Sequence, residues 1–377
     1  MKILAVPGVI DLQSRMGCVA QWWPLLAETH KLGHDIVLVP YLGDSIESPW
    51  WKAYPNPCNA ESKLANWFLN KTGIRGVKDG KTQFLIDHYV KPKWEKALTD
   101  IIAKEKVDAV LFMTLPVKHL QGIPDVIRNR FDIPVLFYDG DLPSSLPRYA
   151  TKSFKFGTYG DKGASEYDCV ISNSDGCKND LIGLGAKKVA VLHYAADPSV
   201  FSPVNKTHNY ADIFYYGHRV AGKENRFRYM VIDPSHGLPY RFVVGGRENG
   251  DDIGRSERRG VLSLSEWRTE ACNSLINLNI TKDIHARVYG TSNARIFELA
   301  MLGCCMVSDD YNGIEQWFTP QEIITVKSTE EAVGVYRMLM SFPEKRKAMG
   351  DAARKRALSC HTFEHRAKEL ERIIESV

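Results

Sequence analysis

The sequence has no run approaching the roughly 18 consecutive apolar residues that a membrane-spanning helix needs. Its opening apolar run ends at Pro7-Gly8, too short for the core of a secretion signal. None of the eight cysteines forms a Cys-x-x-Cys pair, and no Cys/His cluster has zinc-ligand spacing. Several cysteines sit inside apolar runs, where a free thiol behaves as a small hydrophobe. Reduced, structural thiols imply an intracellular compartment. Together these absences predict a cytoplasmic protein, with peripheral membrane contact left open. Charge of one sign is also scarce: 49 basic against 45 acidic residues give a net +4, too balanced to imply nucleic-acid binding. The first turn, 7–18, contains Gly8 and Gly17 but neither G-x-G-x-x-G nor a Walker A pattern, so no dinucleotide or P-loop site is indicated. Gly17 remains a place where a ligand can approach the backbone. No short internal repeat is present.

What the sequence does contain is alternation. In the first half, strand-like runs at 2–6, 35–40, 107–113, 133–138, 169–172 and 189–193 alternate with helical patterns at 18–31, 92–105, 123–130 and 179–183. Residues 41–80, rich in Trp, Pro, Asn and Gly, interrupt the series and read as loops with short helices. The prolines and polar residues of 197–212 look like a connection. A second series follows, with strands at 213–216, 240–244, 274–279, 305–308 and 323–326 and helices at 224–231, 264–272, 293–302, 314–318, 329–341 and 343–359. Such alternation predicts parallel sheets with helices on both faces, and ligands in such sheets sit outside the carboxyl ends of the strands. A length of 377 residues suits two domains.

Besides the first turn, three segments carry candidate chemistry. In 289–309, a loop with Gly290, Thr291, Ser292 and Asn293 opens a helix. Its free N–H groups would form an anion site suited to a diphosphate. Further along, Glu298 is either an acceptor for two ribose hydroxyls or the i,i+3 partner of Arg295. In 213–226 a strand ends at Gly217 and is followed by Arg219 and Lys223, placed to neutralise a diphosphate leaving group or simply to begin a solvated helix. Asp139 and Asp141 follow an apolar strand. They read as a metal pair, a general base for an acceptor hydroxyl, or an Asx-turn. His193 and His285, near strand ends, are weaker candidates. The pairs Trp22-Trp23 and Trp50-Trp51 can stack on a sugar or base, or pack in the core. Arg255, Arg258 and Arg259 read as a solvated basic loop.

The stretch 295–309, with Arg295, Phe297, Glu298 and Met301-Leu302-Gly303, resembles the C-terminal signature of the group 1 glycosyltransferases, especially the spore-coat CgeB-like branch. There an R-x-F-E-x-x-A-x-G pattern opens the donor-site helix; Met301 stands at the usual Ala. Gly217–Lys223 resembles the family's strand-end Gly-Arg…Lys turn. The pieces 168–174, 185–189, Asp197-Pro198 and 201–203 resemble the end of its N-terminal domain, and Gly17, Leu26-Ala27 and 33–36 its first βα unit.

The resemblance implies a GT-B fold, two Rossmann-like doubly wound α/β domains facing each other across a cleft. Residues 1–205 would form the acceptor side and 206–360 the nucleotide-sugar donor side, with 361–377 a helix crossing back. It implies a nucleotide-diphospho-sugar as co-substrate, no cofactor, no catalytic metal, and retention of anomeric configuration. By carry-over, Glu298 would bind the ribose, Arg219 and Lys223 the diphosphate, and Thr291–Asn293 its phosphates through backbone N–H groups. Many members carry a glutamate eight positions before the helix glutamate; here that position is Gly290. The acceptor stays open among glycan, lipid, small molecule, protein and nucleic acid. Two other readings stand beside transfer: a nucleotide-sugar 2-epimerase of the same fold, and a non-catalytic nucleotide-sugar binder.

Overall fold

The computed structural model describes residues 1–8, 20–61, 84–149, 159, 162–217, 222–247, 250 and 252–377. The chain divides into two compact units.

The first unit carries seven parallel strands: β1 (Lys2–Pro7), β2 (Asp35–Leu38), β3 (Trp51–Ala53), β4 (Ala109–Met113), β5 (Val135–Asp139), β6 (Cys169–Ser172) and β7 (Val189–Val191), in the order β3-β2-β1-β4-β5-β6-β7. All residues of β4 and β5 are buried, as expected for strands covered on both faces. The helix Trp22–Lys31 stops before Gly33, whose φ of +94° suits a residue without Cβ. The helix Lys91–Glu105 starts with Pro92 in its first turn and ends at Lys106 in the left-handed region. Residues Ala367–Val377 belong to this unit. There Glu371 Oε1 lies 2.9 Å from His34 Nε2, and Lys188 Nζ donates to Ser376 O at 2.6 Å. Strand β3 lies inside the stretch expected to be loop. It pairs at the sheet edge through only three residues, too few for an alternation signal.

The second unit spans His193–Arg366 and carries β8 (Ile213–Tyr216), β9 (Phe242–Gly245), β10 (Glu257–Arg258), β11 (Ile276–Asn279), β12 (Met306–Asp309) and β13 (Ile324–Val326). All pair in parallel, in the order β10-β9-β8-β11-β12-β13. This is the doubly wound 3-2-1-4-5-6 arrangement. Side chains of β8 alternate between two cores. Phe214 and Tyr216 pack with Trp267, Phe297 and Met301 on one face; Ile213 and Tyr215 pack with Phe227, Met230 and Tyr336 on the other. The helix Leu264–Asn273 begins with a capping box made by Ser263 and Glu266. The segment 197–212 packs within this unit: Val204 N–H donates to Cys272 Sγ and Thr207 N–H to Asn273 Oδ1. Two elements differ from expectation. Residues 314–318 form only the 3-10 turn Ile314–Gln316, and the basic loop contains β10. Arg258 donates to Gly250 O, and Arg259 Nε to Tyr210 Oη at 3.0 Å, so these cations brace an edge strand. No helix among the described residues is long and apolar enough to cross a membrane.

Candidate functional site

In the second unit the chain leaves β8 toward β9 on one side, while β11 and β12 lie on the other. The carboxyl ends of β8 and β11 therefore flank the topological switch point, where such sheets bind ligands. The segments leaving these ends carry most of the residues singled out by sequence. Gly217 directly follows β8. A Cβ there would lie 2.4 Å from the Tyr215 hydroxyl, so glycine leaves room for the phenol. Lys223 Nζ donates to that hydroxyl at 3.3 Å. A phenol does not neutralise an ammonium, so the charge persists for an anion. Lys282, which sequence reasoning missed, begins the short helix Asp283–Arg287 just past β11. His285 sits within reach of both lysines: burial first, then the charges of Lys282 and Lys223, push its pKa down to about 3. It is a neutral imidazole that feels both lysine charges.

The loop before the helix Ala294–Met301 closes on the same region, since Asn293 Nδ2 donates to Thr281 Oγ1 at 3.3 Å. Asn293 Oδ1 caps the helix by accepting from Ile296 N–H at 3.2 Å. The N–H groups of Ala294 and Arg295 precede the first intrahelical bond and lie on partly exposed residues, so they can face an anion. Thr291 and Ser292 are buried, correcting the expectation that their N–H groups lie open at the helix start. Thr291 Oγ1 donates to Val288 O, and Ser292 Oγ accepts from Tyr194 N–H. Gly290 adopts φ of +62° and its N–H donates to Asn312 O at 3.0 Å. Gly313 comes so close that a Cβ on it would lie 2.4 Å from Gly290 N. The position that carries glutamate in many relatives is here a backbone contact.

Glu298 faces inward at 1% exposure. Its Oε2 pairs with Arg295 Nη1 at 3.1 Å, the i,i+3 arrangement, and the Arg295 guanidinium lies 3.9 Å from the Trp267 ring centre. Oε1 has no hydrogen-bond partner among the described residues, and burial raises the pKa of the group.

In the first unit, Asp139 ends β5 at 1% exposure. Its Oδ2 accepts from Ser145 Oγ at 2.6 Å and Tyr159 Oη at 2.9 Å, and its Oδ1 from Asp141 N–H at 3.0 Å. This is an Asx-turn, not an open base. Burial pushes its pKa up to about 6. Asp141 is exposed beside it. No group of three or more His, Cys, Asp or Glu placed to hold a metal occurs among the described residues. Gly17 and Arg219 lie outside the described residues. The four tryptophans pack on one another, with ring centres 4.6 Å apart for Trp23 and Trp51 and 4.9 Å for Trp23 and Trp50. His193 packs edge-on against Trp317 in the second unit.

Sequence reasoning also missed the end of β4. Thr114 follows it with φ of +46°, rare for a β-branched residue, and its Oγ1 accepts from Gly140 N–H at 3.1 Å. Five residues on, His119 Nδ1 lies 2.6 Å from Tyr41 Oη, while its buried Nε2 has no partner among the described residues. Burial holds this imidazole neutral, pushing its pKa down to about 4. The signal was a histidine shortly after a fully apolar strand.

Comparison with known proteins agrees with this fold. Two doubly wound parallel units define the GT-B fold, and solved structures of that fold match the whole chain. Sucrose-phosphate synthase from Thermosynechococcus elongatus aligns over 100% of this chain and 99% of its own at 13% identity, with a TM-score of 0.68. HepE from Anabaena, in complex with UDP, aligns over 100% of both chains at 12% identity and a TM-score of 0.63. The E. coli trehalose-6-phosphate enzyme bound to UDP-2-fluoro glucose aligns over 100% of this chain and 99% of its own at 11% identity and a TM-score of 0.63. Residues 228–372, most of them in the second unit, match the model of the glycosyl transferase-like family. A search of curated proteins finds no relative of the chain.

Proposed function

We propose that this chain transfers a sugar from a nucleotide-diphospho-sugar to an acceptor, with the donor held by the second unit. The observation that carries the reading is the meeting of the Lys223 turn, the Lys282 turn and the start of the 294–301 helix at the β8 and β11 ends, where Asp283 N–H donates to Gly222 O at 2.7 Å and Asn293 to Thr281, in the unit matched by the glycosyl transferase-like family. Breaking the bond between sugar and diphosphate leaves negative charge on the departing phosphate. Two ammonium groups and preorganised N–H donors stabilise that charge as it develops, with no cofactor and no catalytic metal in the reading. Arg219 is assigned to the same anion. The unpartnered Oε1 supports a ribose contact for Glu298, with Arg295 fixing its other oxygen. Asp139 is not assigned as base because its oxygens are already bonded within its own loop. Without that base for direct displacement, retention of configuration is the reading we adopt. Gly290 gives the non-catalytic binder reading its support, since its backbone leaves no carboxylate where many relatives have one.

Thermal unfolding with UDP-, GDP-, ADP- and TDP-glucose, with and without Mg²⁺, tests the donor site. A ligand at about a hundredfold excess over Kd adds about 2.7 kcal/mol of apparent stability. One nucleotide family should stabilise the chain, and Lys223→Ala should weaken the effect. Stabilisation by none of them would sink the reading. Transfer of labelled sugar to an acceptor then separates a transferase from a binder, and epimerisation of free donor singles out the 2-epimerase.

A further inference from the structure

Asp309, the last residue of β12, has a fully buried carboxylate that touches two other segments at once. Its Oδ1 accepts from Thr281 N–H at 2.8 Å, just past β11, and its Oδ2 from Arg226 Nε at 2.8 Å. Arg226 also binds Asp283 through Nη1. Asp283 N–H in turn donates to Gly222 O at 2.7 Å, the residue before Lys223. Thr281 Oγ1 accepts from Asn293, the cap of the 294–301 helix. One carboxylate thus links, through one to three bonds each, the end of β11, the turn carrying Lys223 and the start of the phosphate-facing helix. Arg226 lies between two carboxylates, so its charge is already met and it is a poor direct ligand for a phosphate. Lys223, bonded to a phenol, keeps its charge.

We propose that Asp309, acting through Arg226, is a positioning residue that holds the Lys223 turn and the 294–301 helix start in register for the donor diphosphate. The inference rests on the donor-site reading above. A buried side chain that only filled space would tolerate the isosteric asparagine; a residue whose charge orders two loops would not.

A dependence on pH follows. The charged or titratable groups facing Asp309 are Arg226 and Tyr229 from the helical segment beyond β8, Asp283 from beyond β11, and Asp310 and Tyr311 behind it. Lys327 answers Asp310 at 3.2 Å. Burial pushes Asp309 up to about 6, against the pull of the Thr281 N–H and Arg226. It is therefore charged at neutral pH and takes up a proton as pH falls through that value. Donor affinity should be nearly full a unit above that value and fall as pH drops through it. A nucleotide-sugar diphosphate is a diester with no ionisation of its own in this range.

The test is calorimetric titration of the full chain with whichever of UDP-, GDP-, ADP- or TDP-glucose stabilises the parent most, from about pH 5 to about pH 8. The parent should lose affinity by up to about tenfold toward the acid end, since about nine-tenths of the carboxylate is protonated one unit below its pKa. Asp309→Asn should bind about tenfold more weakly near pH 8, with a flattened profile. Arg226→Gln should behave alike, and Arg226→Lys, which keeps the charge, should recover part of the loss. If Asp309→Asn does not fold, the two Arg226 variants decide. Affinity within about twofold of the parent in both Asp309→Asn and Arg226→Gln overturns the inference, whatever happens to their melting temperatures; so does a flat parent profile. If the parent binds none of the probes, the donor reading itself fails and this inference falls with it.

Discussion

The Arg295–Glu298 pair offers a sharp test of how a buried carboxylate is held in the second unit. The side chains are 19% and 2% exposed and 3.1 Å apart. With an effective dielectric constant of about 20, that separation gives an attraction of about 5 kcal/mol, most of it offset by the cost of taking both charges out of water. Replacing Arg295 by Met keeps the stem over Trp267 and removes the charge. Glu298 is then left alone, and its escape is to take a proton. Relative to an unfolded carboxyl of pKa about 4.3, that costs at most about 3.5 kcal/mol at pH 7 and about 1 kcal/mol at pH 5. The folded pKa is raised in the parent and raised further in the variant. The extra instability therefore appears as pH rises through the parent's raised folded pKa, grows with rising pH, and levels off above the variant's folded pKa. Urea unfolding followed by tryptophan fluorescence at both pH values should show this growth, and adding Glu298→Gln to Arg295→Met should abolish it. A cost below about 1 kcal/mol at pH 7, or an equal cost at both pH values, would refute the reasoning.

Two further outcomes are expected. Gly313→Ala should cost about 3 kcal/mol or more in urea unfolding, because φ is +89° and the new carbon would lie 2.4 Å from Gly290 N. Gly43→Ala, at φ of +88° with nothing within 4 Å, should cost only about 1 kcal/mol; equal losses would show that the contact with Gly290 is unimportant. Asp139→Asn should gain stability relative to the parent as pH rises from about 4 to about 6 and then level off, because burial holds the parent carboxyl near 6 and penalises its charged form. A relative loss over that window would contradict the burial argument.

Several elements were legible because local pattern and tertiary role coincide. Strands β6 and β8 and the helix Thr329–Ser341 fall where the apolar runs and caps placed them. Strands β3 and β10 were not legible. Each is an edge strand of two or three residues, and its pairing comes from the neighbour and not from its own periodicity. The candidate site divides in the same way. Glycine, lysine and the helix cap Asn293 announce a strand-end turn and a helix start. Nothing local announces that the Lys282 and Lys223 turns meet, or that Asp309 bonds to both Arg226 and Thr281.

The sequence by itself determined the alternating α/β order and the two-part architecture, because periodicity, glycine stops and capping residues act within a few positions. Only the tertiary structure decided which way those side chains turn. It paired Glu298 with Arg295, bonded Asp139 into its own loop, and made Gly290 a backbone contact with Gly313. The reason is that burial and hydrogen-bond partnership are set by residues far away in sequence, and a carboxylate's chemistry follows from what surrounds it.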